Sequence, residues 1–243
     1  RSPAGPINSP GNSFRPSAPA ASAAKASVGV ITPGKLSIPA DLLAAITAGS
    51  QLGETISRAP VAATWRTATL LEELGHHVEE VPAPVPDSFP DDFLLYWATL
   101  AGALVAGGRR NHGRTFDRSR LDPLTMGLAR HAARSAHRIP GAIARLRRTA
   151  GQAERFHERW DVALTPTLAS AAPPIGHLSP EPGFEQVMER LLDWVVFTPW
   201  QNATGAPAVS LPLATRSGLP CGVSLVAAPG RDRALLDLAV SLG

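Results

Sequence analysis

The sequence predicts an α/β protein, and three stretches carry that prediction. The first is "APVAATWRTATLLEELGHHVEEVPAP", where an amphipathic helix, a glycine and a strand follow one another directly. The second is a wholly apolar strand, Val162 to Thr165, closed by Pro166. The third is a pair of strand-like runs, Ala208–Leu213 and Gly222–Ala227, with a helix from Asp232 behind them.

In chain order, residues 1–27 are rich in Ser, Pro and Ala without hydrophobic period and read as a poorly ordered linker. "SVGVITPG", Ser27–Gly34, reads as a short buried strand closed by Pro33 and Gly34. From Lys35 to Arg58 the pattern is mixed, although "ADLLAAITAG" suits a short helix ending at Gly49. Val61, Trp65, Ala68, Leu71 and Leu74 recur at helical spacing and predict one apolar stripe. Gly75 stands where a left-handed C-cap belongs. His77–Val81 then reads as a strand stopped by Pro82.

Asp91–Gly107 reads as a helix capped by Asp91 or Asp92. Asp122–Ile139 and Pro140–Trp160 read as two more, the second opening on a first-turn proline. Leu128, Ile143, Leu146 and Phe156 are expected to point inward, leaving the arginines on a solvated face. A basic patch for an acidic partner is the alternative, but Glu154, Glu158 and Asp161 interleave with it. A proline-rich stretch and a helix near Phe184–Trp194 follow the 162–165 strand. The last two strands are expected to be hairpin-like neighbours joined by "ATRSGLP". The Asp232 helix should pack across them, and their apolar runs should need cover on both faces.

Composition narrows the function. Lys and Arg number 23 against 20 Asp and Glu, and only Lys25 and Lys35 are lysines, so nucleic acid is not expected as a partner. The single cysteine, Cys221, excludes an internal disulfide framework and a Cys-based zinc site, and fits a reducing compartment. Followed by Gly222 and a buried strand, it reads as a small apolar residue rather than a nucleophile. The longest apolar run, "YWATLAGALVAGG", is too short to span a bilayer, so no membrane partner is expected. The start shows no basic segment leading into an apolar one, and a cytoplasmic location is expected. His76 and His77 are adjacent, and His131 and His137 are not at i,i+4 spacing, so neither a metal nor another cofactor is expected.

The candidate site is "TPWQNATGAPAVSLPL", Thr198–Leu213, where a polar cluster abuts an apolar strand. Trp200, Gln201, Asn202 and Thr204 are the candidate substrate-binding residues. Two readings stand side by side. Either these side chains line a pocket, or Trp200 is core while Asn202 and Thr204 satisfy backbone groups of the Gly205 turn. Thr165 and Thr167, leaving the end of a buried strand, carry the same ambiguity.

"DVALTPTLASAAPPIG" and "FTPWQNATGAPAVSLPLATRSGLPCGVSLVAAPGRDRALLDLA" resemble the C-terminal half of the amidase signature family. "TATLLEELGHHVEEV" resembles the helix–strand unit before them, and "AGPINSPGNSF" resembles the family's linker. The resemblance implies a large mixed β-sheet flanked by helices, with residues 28–243 as the C-terminal portion of an amidase domain. It further implies hydrolysis of carboxamides by a serine nucleophile, a second serine and a lysine. An unactivated hydroxyl is a poor nucleophile, so the bridging serine and a neutral lysine would relay its proton. Backbone N–H groups of a Gly/Ser-rich loop would hold the oxyanion.

No catalytic residue is carried over. The sequence has no Ser-Ser pair, Gly107-Gly108 is followed by Arg109, and the two lysines stand in or after the linker. The chain, starting at Arg1, is therefore expected to be a C-terminal fragment, inactive alone, whose partners are a small amide and a missing N-terminal half. A non-catalytic remnant, one component of a two-chain enzyme and a basic interaction module are the alternatives. Two departures from the family pattern stand out: residues 35–58 are an unplaced extra stretch, and Cys221 replaces a small apolar residue.

Overall fold

The computed structural model describes residues 25–31, 51–216 and 219–242. The first strand is β1 (Ser27–Val30), whose Val28 and Val30 are fully buried. The helix expected at Ala40–Gly49 and most of the linker lie outside the described residues. α1 (Gln51–Glu73) follows, and its buried face is rotated from the expected stripe. Ala63, Thr64, Thr67, Ala68 and Leu71 are buried, whereas Trp65 and Leu74 are 41% and 45% exposed. Threonines can enter this core because Thr64 and Thr67 donate their hydroxyls to the Pro60 and Ala63 carbonyls one turn back.

Gly75 ends the helix at φ 87°, as its position predicts. Gly75 N donates to Glu72 O and His76 N to Leu71 O, which satisfies two carbonyls of the last turn. The chain then enters β2 (His77–Glu80).

α2 (Phe89–His112) starts before the expected aspartate caps. Asp92 is not a cap: it is 2% exposed and held by Arg145 through Nη2–Oδ1 and Nε–Oδ2 contacts of 2.6 and 2.8 Å. Asp122 does cap α3 (Pro123–Arg134), accepting from Thr125 N at 2.9 Å. Hydrogen bonds to Thr125 hold the Asp122 carboxyl below its ordinary pKa. α4 (Ile139–His157) buries Ala142, Leu146, Ala153 and Phe156. The remaining elements are β3 (Val162–Pro166), α5 (Phe184–Trp194), α6 (Pro199–Thr204), β4 (Ala208–Arg216), β5 (Leu219–Ala227) and α7 (Asp232–Ser241).

The strands form one mixed five-stranded sheet, ordered β2-β1-β3-β5-β4. β1 runs parallel to β2 and β3, while β5 is antiparallel to both β3 and β4. One face carries Val28, Val30, Leu164, Val223 and Leu225 against Leu71 of α1 and Leu235 and Leu238 of α7. The opposite face carries Ile31, Ala163 and Val226 against Phe156 and Leu146 of α4, Trp160, and Trp200 of α6. A third cluster joins α2, α3 and α5 through Ala98, Leu128 and Met188.

The last two strands pair as expected, but cover on both faces does not hold for β4. Val209, Leu211 and Leu213 pack against the core beneath α1 and α7, while Ala208, Ser210 and Pro212 are exposed. β4 is an edge strand, and strand alternation sends every second side chain to the uncovered face.

Candidate substrate-facing site

Strand register assembles a row of hydroxyls that no single stretch of sequence contains. Thr165 of β3 is opposite Ser224 of β5, and Ser224 is opposite Ser210 of β4. These side chains share the sheet face that carries Ala163 and Val226 two residues away. Thr165 and Ser224 are buried, while Ser210 is exposed, so the row runs from the interior to open surface. Thr167, just past β3, extends it: its Oγ1 lies 2.7 Å from Ser210 Oγ, and its N–H donates to Gly222 O at 3.0 Å. Gly222 makes room for that pair. A Cβ there would meet Thr167 Oγ1 at 2.7 Å and Ser210 Oγ at 2.9 Å. Thr165 turns its own hydroxyl onto Pro166 O at 2.9 Å.

The polar cluster after Thr198 forms α6, a short helix on the same side of the sheet. Trp200 is 6% exposed. Its ring meets Phe156 edge-on at 5.8 Å and stacks on His157 at 6.0 Å, both from α4. Its Nε1 is buried without a partner among the described residues. Gln201 is buried too, and its amide, oriented to suit its neighbours, donates to Phe197 O and Thr198 O at 2.8 and 2.9 Å. Asn202 is exposed and donates to Thr198 O at 3.1 Å; Thr204 donates to Trp200 O at 3.0 Å. Gly205, at φ 70°, closes the helix in the left-handed region and donates to Gln201 O. The structure thus gathers the four α6 candidates on one short helix, with Asn202 most open to solvent. Thr165 belongs to the hydroxyl row rather than to that helix.

His157 joins α6 to α4. Its Nδ1 is 3.0 Å from Trp160 O, and a carbonyl only accepts, so Nδ1 carries the proton. Burial pushes its pKa below the ordinary histidine value, against the Trp160 carbonyl and the charge of Asp161. The loop after β3 is pinned to α5 by Ala169 N to Trp194 O and Trp194 Nε1 to Ser170 O, at 3.0 and 3.3 Å. Among the described residues, no three His, Cys, Asp or Glu side chains are grouped to hold a metal ion. No described helix is long and apolar enough to cross a membrane.

The amidase family model matches residues 39–236. The chain belongs to the amidase family. This amidase chain is similar to the Mycobacterium tuberculosis protein named "Putative amidase AmiC", with 55% identity over 181 residues. That match covers 74% of this chain and 38% of the relative. It is 30% identical to the 6-aminohexanoate-cyclic-dimer hydrolase of Paenarthrobacter ureafaciens, over 74% of this chain and 39% of that one. The chain therefore spans less than half the length of the curated relatives it matches.

Solved structures agree on the fold. The 6-aminohexanoate cyclic dimer hydrolase complexed with substrate superposes with a TM-score of 0.68 at 26% identity, covering 90% of this chain and 44% of that one. A bacterial aryl acylamidase of the amidase signature enzymes, at 18% identity and a TM-score of 0.58, shares the fold over 90% of this chain and 43% of its own. The mixed sheet flanked by helices is thus the amidase signature fold, as the resemblance implies.

Ser210, Ser224 and His157 are not legible as candidates in the sequence. The available signal is slight: each serine interrupts an apolar run, Ala208–Leu213 or Gly222–Ala227. Only pairing across β3, β5 and β4 makes them neighbours.

Proposed function

We propose that this chain is the C-terminal part of an amidase-signature hydrolase that cleaves the C–N bond of a small uncharged carboxamide. The row Thr165–Ser224–Ser210, extended by Thr167, carries the reading. It sets small hydrogen-bonding groups against apolar strands and leads onto an uncovered face, the make-up of a wall that orients a neutral amide. The cyclic-dimer hydrolase among its relatives is named for a substrate of that kind. Trp200, Gln201, Asn202 and Thr204 lie on α6, on the same side of the sheet as this wall, with Asn202 exposed and available to a ligand.

The row offers no activated nucleophile. A serine or threonine hydroxyl needs a base or a lowered pKa, and among the described residues no histidine, lysine or carboxylate is bonded to these hydroxyls. On this reading an N-terminal half supplies the serines, the lysine and the oxyanion loop, and it packs on the open side of β4. The chain alone hydrolyses no amide. The same reading puts it in the cytoplasm and assigns it no cofactor.

The test is an amide-hydrolysis panel run on residues 1–243, alone and fused behind the N-terminal part of the Mycobacterium tuberculosis relative. The fusion should turn over neutral amides, and a serine-directed covalent probe should abolish this by labelling the supplied half. Turnover by the chain alone, with the probe mapped to one of its own serines, overturns the proposal. So does an inactive fusion whose supplied serine still reacts with the probe.

A further inference from the structure

At the sheet edge opposite β4, the segment following β2 and the last turns of α4 flank an open surface cleft of about 460 Å³. This is large enough for a small organic molecule. The Pro82–Val85 segment, Phe156 and Trp160 supply apolar lining. Arg155 and Arg159 also line it, with Glu79 and Glu80 of β2. Glu79 Oε2 lies 3.7 Å from Arg159 Nη2 and 3.9 Å from His77 Nε2, and Arg159 rests over the Trp160 ring at 5.2 Å. Arg155 is exposed and makes no ion pair with any described residue.

Gln152, also in the wall, has its Oε1 buried without a donor among the described residues. A buried acceptor left unsatisfied is costly, and amides in folded proteins ordinarily find partners. The terminal torsion of glutamine is broad, so rotation about it is the step by which this oxygen would be presented to a ligand in the cleft. A ligand N–H would then supply the missing donor.

We propose that this cleft binds a small N-acylated amino acid. Its carboxylate would meet Arg155 and Arg159, its amide N–H would meet Gln152 Oε1, and its acyl group would lie on Phe156, Trp160 and the proline segment. Guanidinium is the group suited to a carboxylate, and proline and aromatic faces suit an apolar acyl chain. The site is separate from the hydroxyl row and does not depend on the amidase reading.

The experiment is calorimetric titration of the chain with N-benzoylglycine, its primary amide, and benzoate. The acid should bind about tenfold more tightly than either control, since the amide lacks the charge and benzoate lacks the N–H. Arg155→Ala should weaken the acid by about tenfold and leave the amide unchanged. Arg155 is on the surface, so unchanged circular dichroism is expected for that variant. Gln152→Met should weaken the acid but not benzoate. Glu79→Gln, which releases Arg159, should tighten the acid. Equal binding of acid and amide, acid binding indifferent to Arg155→Ala, or no binding of the acid at millimolar concentration overturns the proposal.

Discussion

Replacing Trp200 by alanine separates a packing role from a contact role. Trp200 is 6% exposed and fills the space between the sheet face of Ala163 and Val226 and the α4 side chains Phe156 and His157. Removing a buried tryptophan costs about 3–5 kcal/mol, because the transfer free energy is lost and a cavity remains. That is a large fraction of a domain's total stability. Trp200→Phe is the informative companion. It loses some area but also removes an N–H that is buried without a partner among the described residues. The two effects oppose, since a buried unsatisfied donor costs about 1–3 kcal/mol, so the phenylalanine variant should lie within about 1.5 kcal/mol of the parent. Urea unfolding followed by far-UV circular dichroism measures both, provided the m-value is unchanged. A loss below about 1 kcal/mol for the alanine variant would refute the packing argument. In the fusion that tests the proposed function, such a variant with a lowered turnover would instead make Trp200 a pocket wall.

Three other outcomes follow from the packing. Arg145→Ala leaves the buried Asp92 carboxylate, among the described residues, with only the Ser88 hydroxyl, at 2.9 Å, so its urea midpoint should fall well below those of Arg147→Ala and Arg148→Ala. Gly29→Ala puts a Cβ 2.8 Å from Val81 Cγ2 and 2.9 Å from Phe156 Cζ, and thermal unfolding should show a loss of about 1–3 kcal/mol from overpacking. His157 has a folded-state pKa below its ordinary 6.5, so below that pH the unfolded chain binds the proton more readily. Its contribution to stability is therefore present above pH 6.5 and lost as pH falls toward the lowered value. Urea midpoints measured across that window should drop for the parent and stay flatter for His157→Phe.

The elements are legible in the sequence where one physical signal dominates. Gly75 marks a helix end because only a left-handed residue lets His76 N reach Leu71 O. Val162–Pro166 is readable because a strand buried on both faces opens on an unbroken apolar run, Val162–Leu164, and is stopped by proline. The buried face of α1 escapes the periodicity because that signal counts threonine as polar, whereas Thr64 and Thr67 close their hydrogen bonds within the helix. The aspartate cap expected for α2 fails because the partner of Asp92 lies 53 residues away. The α6 side chains can be named from sequence, but their orientations cannot: Gln201, Asn202 and Thr204 all turn to backbone carbonyls of their own turn or the one before. The hydroxyl row depends on register, and register exists only once three strands are paired.

The two sheet edges are built differently, and the difference bears on the proposed function. β2 ends the sheet with His77, Glu79 and Glu80 and is followed by Pro82, which are devices that discourage further pairing. β4 ends it with nine residues, of which Arg216 is the one charged type. Pro212 removes a donor, and the register shift between Leu211 and Ala214 disrupts the far half of the strand. The near half, Ala208–Leu211, has neither protection. Exposed strand edges without charge tend to recruit another strand or chain. The exposed side of this half carries Ala208 and Ser210, small residues that let another element approach closely. That side also carries the open end of the hydroxyl row. An N-terminal half seated there would cover the strand and bring its serines toward the hydrogen-bonding wall together, so one surface would serve both folding and substrate placement.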